Sequence, residues 1–249
     1  MNTLNAFLIT TIAGLSTIIG IIPCFFKKSN QDSIISKSLA FSSGVMITIS
    51  LISLIPEASN TLGMTLKPFP AFIVCAIFIV IGILTSTLID NKIERKLKKD
   101  NLYKLGIITT IILMLHNIPE GITTFISSTS NEQLGLKLAF AIALHNIPEG
   151  ISIATPIYYS TKSKLKAFTY TLIAGFSELL GALLAYIFLK NLITPFILSI
   201  TLAMTAGIML DISIYEFLPT AYKTKKNKAI TYYFVLGIII MFLTELNIF

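Results

Sequence analysis

His116-Asn117-Ile118-Pro119-Glu120-Gly121 is repeated verbatim as His145-Asn146-Ile147-Pro148-Glu149-Gly150, and the two copies hold both histidines of the chain. Each lies inside a long apolar run, where an ionisable residue is costly and is kept for a function. His and Glu four residues apart share one face of a helix, one turn above the other. Imidazole nitrogen and carboxylate oxygen both suit divalent first-row metals, so each copy makes a two-toothed clamp. Pro119 and Pro148 have no N–H to give, which frees the carbonyls of Leu115 and Leu144. In a bilayer such a carbonyl is tolerated only under protein, water or an ion, so a kink with loosened backbone is expected beside each His. Two Pro-kinked helices whose polar residues merely bond each other would explain one copy as well as a metal does. A verbatim pair favours the metal.

The composition agrees with a membrane setting. Of 249 residues 54% are hydrophobic and 12% charged, against about 25% charged in soluble chains. The net charge of +7 would suit nucleic acid, but the basic residues fall in short clusters between apolar runs, as in cytoplasmic loops. No nucleic-acid partner is expected. Cys24 and Cys75 stand in apolar segments without disulfide or zinc spacing and read as small packing residues. With no Trp in the chain, an interfacial belt must rely on Tyr158, Tyr159, Tyr232 and Tyr233. The opening MNTLNAFLITTIAGLSTIIGIIPCFF lacks a basic leader and reads as a first membrane helix rather than a signal peptide.

Apolar stretches of about 20 residues predict eight spans, at about 4–26, 34–56, 69–89, 102–126, 134–157, 167–189, 193–218 and 229–248. Sixteen of the nineteen Lys and Arg residues fall in alternate connections: Lys27, Lys28 and Lys37; Lys92, Arg95, Lys96, Lys98, Lys99 and Lys104; Lys162, Lys164 and Lys166; Lys223, Lys225, Lys226 and Lys228. Only Lys67, Lys137 and Lys190 lie in the others. This split puts the basic loops in the cytoplasm and both termini outside the cell membrane. The polar run DNKIERKLKKD at 90–100 reads as a solvated connector within a cytoplasmic loop at 90–101. The whole chain, 1–249, reads as one transmembrane transporter domain in the lipid bilayer.

The second span repeats in the seventh. Gly44, Met46, Ser50 and Pro56 coincide with Gly207, Met209, Ser213 and Pro219 when the two are aligned. The spans run in opposite senses, so the repeat is inverted, an architecture that sets substrate near the bilayer midplane. The hairpin of spans four and five turns at SSTSNEQ, 127–133, and each hexapeptide lies roughly 18–22 Å from that turn along its helix. Both copies therefore reach one depth, where two His, two Asn and two Glu converge. Two adjacent metal ions with bridging glutamates fit such a set.

Among the other intramembrane polar residues, Glu178 is flanked by Gly175 and Gly181, whose small size allows close helix contact. It is read as a further ligand. Glu216, beside Pro219, reads as a group at the mouth of the path, while Asp211 is equally a ligand or a protonated structural residue. Met46 offers a thioether for softer metals or simply packs. Ser50 and Ser213 are expected to bond to their own helix backbone.

With HNIPEG in both the fourth and fifth spans, SELLGALLAY in the sixth, and the paired GVM…IPEA and GIM…LPTA segments, the chain resembles the ZIP (Zrt-, Irt-like protein) family of divalent metal transporters, in particular its broad-specificity bacterial branch. The resemblance covers essentially the whole chain. It implies an all-α membrane fold of eight helices in a 3+2+3 arrangement with a binuclear metal site. One ion would be held by Met46, His116, Glu120, His145 and Glu149. The other would be held by Asn117, Glu120, Asn146, Glu149 and Glu178, both hairpin glutamates bridging. It further implies transport into the cytoplasm, with zinc the default and iron(II), manganese, cobalt or cadmium also carried. The chain departs from the family at Ser53, where many relatives are acidic, and at Asp211, where an uncharged residue is usual. Both departures bear on metal access and proton coupling.

The expected function is thus divalent cation import, with the metal ion as cargo, no resident cofactor and no catalytic residue. An intramembrane zinc hydrolase is the rival, since three ligands and a water on zinc can attack a carbonyl. The absence of HExxH and the doubled ligand set speak against it. Small-residue helix faces would permit a homodimer.

Overall fold

A computed structural model describes residues 3–25, 31–96, 101–130, 132–188, 194–224 and 228–246, and it is helical nearly throughout. Helix α1, Thr3–Leu15, tightens into 3-10 turns over Ser16–Phe25. The hydroxyls of Ser16 and Thr17 mark the change by reaching back three residues, to the carbonyls of Ala13 (2.6 Å) and Gly14 (2.7 Å). Helices α2 (Gln31–Ile49) and α3 (Ile55–Gly63) are joined through a π-helical segment, Ser50–Leu54, into one rod. Helix α4 is Pro68–Lys96, and α5 (Asn101–Ser130) and α6 (Glu132–Thr161) form the hairpin. After α7 (Lys164–Phe188), helices α8 (Pro195–Asp211) and α9 (Leu218–Thr224) are again joined through a π segment, Ile212–Phe217, and α10 is Lys228–Leu246.

Among the described residues six helical stretches are long and apolar enough to cross a membrane: Thr3–Phe25, Asp32–Gly63, Pro68–Leu88, Leu102–Thr129, Lys164–Phe188 and Pro195–Lys223. A shorter apolar run lies at Lys228–Thr244. The protein is an all-α, multi-pass membrane protein. Its outward faces are correspondingly apolar. On α4, Phe69, Phe72, Ile77, Val80, Leu84 and Leu88 are exposed at helical spacing, as a face solvated by lipid would be.

Several elements outrun the apolar stretches. Helix α4 continues from the expected limit near 89 to Lys96, so Asp90–Lys96 is helix rather than irregular connector. That segment has good helix formers and neither Pro nor Gly to stop it. The rest of the expected connector, 97–100, lies outside the described residues, as do Lys27, Lys28, Lys190, Lys225 and Lys226. Each π segment sits one turn before a proline, Pro56 or Pro219. A proline inside a helix removes a bond to the carbonyl four residues back, and a widened turn absorbs that loss. Helices α5 and α6, by contrast, run unbroken through Pro119 and Pro148.

Glycines set where the helices cross. A Cβ on Gly44 would meet the carbonyl of Phe234, and one on Gly237 that of Phe41, so α2 and α10 touch backbone to backbone. Gly82 and Gly207 do the same for α4 and α8, against Met204 and Ile79. Gly121 faces the carbonyl of Glu178 and Gly181 that of Ile118, which locks α5 to α7. Gly150 meets the carbonyl of Thr17 beside Gly20, and Gly14 and Gly175 face each other's carbonyl at 2.5 Å. Without a hydrophobic effect between helices in lipid, such close contacts supply the packing. Cys24 and Cys75 are free and buried, as read. Tyr159 is only 6% exposed and so packs in the core, not in a lipid-facing belt, whereas Tyr232 is outward. The Lys37 and Lys162 ammonium groups lie 5.1 and 5.4 Å from the ring centres of Tyr233 and Tyr159.

Candidate metal centre

The i, i+4 spacing on α5 stacks His116 and Glu120, and the antiparallel hairpin brings His145 and Glu149 on α6 to the same depth. All four side chains are buried. His116 Nε2 lies 3.1 Å from Glu120 Oε1 and 3.4 Å from Glu149 Oε1, while His145 Nε2 lies 3.0 Å from the same Glu120 oxygen. One carboxylate oxygen thus stands between two imidazoles whose ring centres are 6.3 Å apart. Ligand atoms of His116, His145 and Glu149 all fall within 4.8 Å of one another. Donors about 2.0–2.2 Å from a shared ion are separated by about 3.0–3.6 Å at tetrahedral or octahedral angles. The measured contacts have the lengths of such polyhedron edges.

The asparagines are held by backbone. Asn117 Nδ2 donates to the carbonyl of Ala174 on α7 (3.0 Å), and Asn146 Nδ2 donates to that of Ala13 on α1 (3.1 Å). A carbonyl can only accept, so each amide is fixed with its oxygen turned away, and both Oδ1 atoms are buried without a partner. Asn146 Nδ2 also donates to Glu178 Oε1. Among the described residues, Glu120 Oε2, both Glu149 carboxylate oxygens and Glu178 Oε2 likewise have no hydrogen-bond partner. Buried polar atoms without partners are rare in folded proteins. A cluster composed of oxygens and imidazole nitrogens is the chemistry of a divalent cation site. Substituting Asn146 by Leu is expected to cost about 1–3 kcal/mol, by stranding the Glu178 oxygen. A thermal melt in detergent, compared with wild type, measures it.

Of the remaining expected residues, Met46 is fully buried in the main core on α2. Ser50 Oγ donates to the Met46 carbonyl at 2.7 Å, as expected. Ser213 does not follow: its hydroxyl has no partner, and its own carbonyl accepts from Ser43 Oγ at 2.9 Å. The π turn is not the cause, since Ser50 also stands in a π segment and does bond. Asp211 and Glu216 lie at the start of that segment and within it, half-buried. Ser42 was not singled out in sequence, yet its hydroxyl donates to the Pro148 carbonyl at 2.7 Å and ties α2 to the second hexapeptide. Nothing local distinguishes that serine from the many that bond their own helix.

The family described as ZIP zinc transporter matches residues 90–245, which include both hexapeptides and Glu178. The chain belongs to the ZIP family. Similar proteins span its whole length. The zinc transporter ZupT of Clostridium perfringens is 36% identical over 269 residues, covering 96% of this chain and 94% of its own. That of Chlorobaculum parvum is 39% identical over 235 residues, 88% of each chain, and that of Streptococcus mutans 36% over 250 residues, 95% of each. ZIP proteins are transporters, not enzymes. The hydrolase reading therefore falls.

Proposed function

We propose that this ZIP protein imports divalent metal across the cell membrane, zinc foremost, through a binuclear site at mid-membrane. The observation that carries the reading is the single Glu120 oxygen 3.1 and 3.0 Å from the two imidazoles. The relatives are zinc transporters, which supports zinc as the substrate. One ion takes His116, His145, Glu120, Glu149 and the Met46 sulfur. The second takes the oxygens of Asn117, Asn146, Glu120, Glu149 and Glu178. The unpartnered oxygens on those residues support it. Nitrogen and oxygen donors without thiolate bind first-row ions without extreme affinity, so iron(II), manganese and cobalt are carried as well and cargo can leave, and the Met46 thioether admits the softer cadmium.

The whole chain acts as one domain of eight spans, in a 3+2+3 arrangement with an inverted repeat. The glycine crossings support this symmetry. Exchanging the first three spans with the last three, and the fourth with the fifth, turns Gly44–Gly237 into Gly207–Gly82, and Gly20–Gly150 into Gly181–Gly121. The same exchange turns the Asn117–Ala174 bond into Asn146–Ala13. Both termini are outside and the basic connections, including residues 90–101, are cytoplasmic, so metal passes toward the basic side as one bundle rocks against the other. Small-residue faces accommodate a homodimer in the bilayer.

Proteoliposomes loaded with a metal-sensitive dye and offered zinc, iron(II), manganese, cobalt or cadmium test the reading. Dye response for zinc that is lost in His116→Ala is expected. Bound metal without flux of any ion would sink it. Uptake is also expected to fall as the outside is acidified, because imidazole and carboxylate must be deprotonated to ligate and protons compete with metal. A pH series on the same vesicles checks this, and uptake rising in acid would oppose it.

A further inference from the structure

Most buried hydroxyls in this protein find a carbonyl, and among the described residues, besides Ser53 and Ser213 at the π segments, four on the hairpin do not. Serines and threonines inside the helices return their O–H to a carbonyl three or four residues back. Thr110 bonds Gly106 (2.7 Å), Thr123 bonds Pro119 (3.0 Å) and Thr129 bonds Ile126 (2.8 Å). Their immediate neighbours Thr109, Thr124 and Ser128 do not. These three and Thr155 are each 0% exposed, and their hydroxyls find no partner among the described residues. The local backbone is the same regular helix for each pair, so the backbone is not the cause. What the three on α5 share is a face. Thr109, His116, Glu120, Thr124 and Ser128 follow one another on α5 at steps of seven and four, one winding stripe through the metal centre. From Thr109 to Ser128 that stripe is about 28 Å long at 1.5 Å per residue, close to the roughly 30 Å of a bilayer's hydrocarbon. Gly106 of α5 lies against Ile157 of α6, and Gly135 of α6 against Ser128 of α5. This antiparallel register sets Thr155 at the depth of Thr109, on the opposite helix.

We propose that these four hydroxyls are the rungs of the ion path, Ser128 and Thr124 leading to the midplane ligands and Thr109 with Thr155 leading away. The proposal rests on the transport reading above. A divalent cation cannot shed its water all at once in an apolar channel, because no donor would replace it. An unpartnered hydroxyl offers a neutral oxygen that takes the place of one water and releases the ion as readily. Thr124 stands one turn from Glu120, about 6 Å along the helix, close enough to hand over a partly hydrated ion. Neutral rungs also avoid the deep trap that a further carboxylate would make. They are passing ligands of the moving ion, not ligands of the resting site.

The test reads water access apart from transport. In a chain whose Cys24 and Cys75 are replaced by Ala, a small water-soluble thiol reagent is expected to modify Thr124→Cys, Ser128→Cys, Thr109→Cys and Thr155→Cys about tenfold or more faster than the lipid-facing Ile126→Cys, since a thiol in apolar surroundings does not ionise to react. Added zinc is expected to slow the reaction. In vesicles, Thr124→Val is expected to lower the maximal uptake rate about tenfold, the worth of a hydrogen bond to a charged group, with bound zinc unchanged and Thr124→Ser restoring the rate. Labelling no faster than at Ile126→Cys, or wild-type uptake by Thr124→Val, would overturn the path. Absence of zinc uptake by the unsubstituted chain would instead overturn the transport reading, and the labelling rates stand apart from that result.

Discussion

Zinc uptake by proteoliposomes carrying Glu120→Ala is expected to fall to the level of protein-free vesicles. Glu120 is the residue on which the centre converges, its Oε1 within 3.1 Å of both His116 and His145 Nε2. Removing it takes away the anion between two buried imidazoles and leaves no carboxylate on α5 to bind the ion. Loss of one partner from a buried charged contact costs about 3–5 kcal/mol, or roughly a hundred- to five-thousandfold in an equilibrium constant. Glu149→Ala is expected to act in the same direction with a smaller effect, because Glu149 Oε1 reaches His116 at 3.4 Å. Glu120→Gln, which keeps an oxygen and the volume but loses the charge, should fall between. Dye response and bound zinc, measured on the same preparations, read both effects. Uptake unchanged in both alanine variants would remove the proposed mechanism.

Gly121→Leu is expected to yield no correctly assembled protein. A side chain there would begin inside the contact with the Glu178 carbonyl, where α5 and α7 meet backbone to backbone. Backbone has no rotamer to yield, so the helices must part, and with them the Asn117 bond to Ala174 that crosses the same interface. Even Gly121→Ala is expected to cost about 1–3 kcal/mol, the usual price of overpacking. Gly150→Leu should behave alike, against Thr17. Gly63→Ala is the contrasting case. Nothing lies within 4 Å of its Cβ and its backbone is not left-handed, so a gain of about 0.4–1 kcal/mol is expected from a stiffer unfolded chain. Size-exclusion profiles and thermal melts in detergent compare the three. A monodisperse, wild-type-like Gly121→Leu would mean that the α5–α7 contact is looser than the backbone distances imply.

The two glycines belong to the hexapeptides, yet the His and Glu positions alone announced a purpose. Ligand spacing is a local property: four residues make one helical turn wherever the helix goes, so the clamps on α5 and α6 could be read without a fold. The membrane class was equally local, since runs of about 20 apolar residues with sparse charge have few other uses. Pro56 and Pro219 were legible only as matching positions of the repeat, not as the cause of the π turns at Ser50–Leu54 and Ile212–Phe217, and the loosened backbone expected at Pro119 and Pro148 does not interrupt α5 or α6. Helix ends were overrun wherever polar but helix-favouring residues followed an apolar span, as at Asp90–Lys96.

The amino-acid pattern by itself therefore determined the membrane setting, the hairpin and the His/Glu pairs of the candidate metal centre, because each depends on periodicity along one helix. The tertiary structure alone decided that carbonyls of Ala13 and Ala174 orient the asparagines, that Glu178 meets Asn146, and that Ser42 reaches Pro148. These partners stand on different helices, and their meeting is set by where glycines let backbones cross. A crossing point is a relation between two surfaces, which no single stretch of sequence carries.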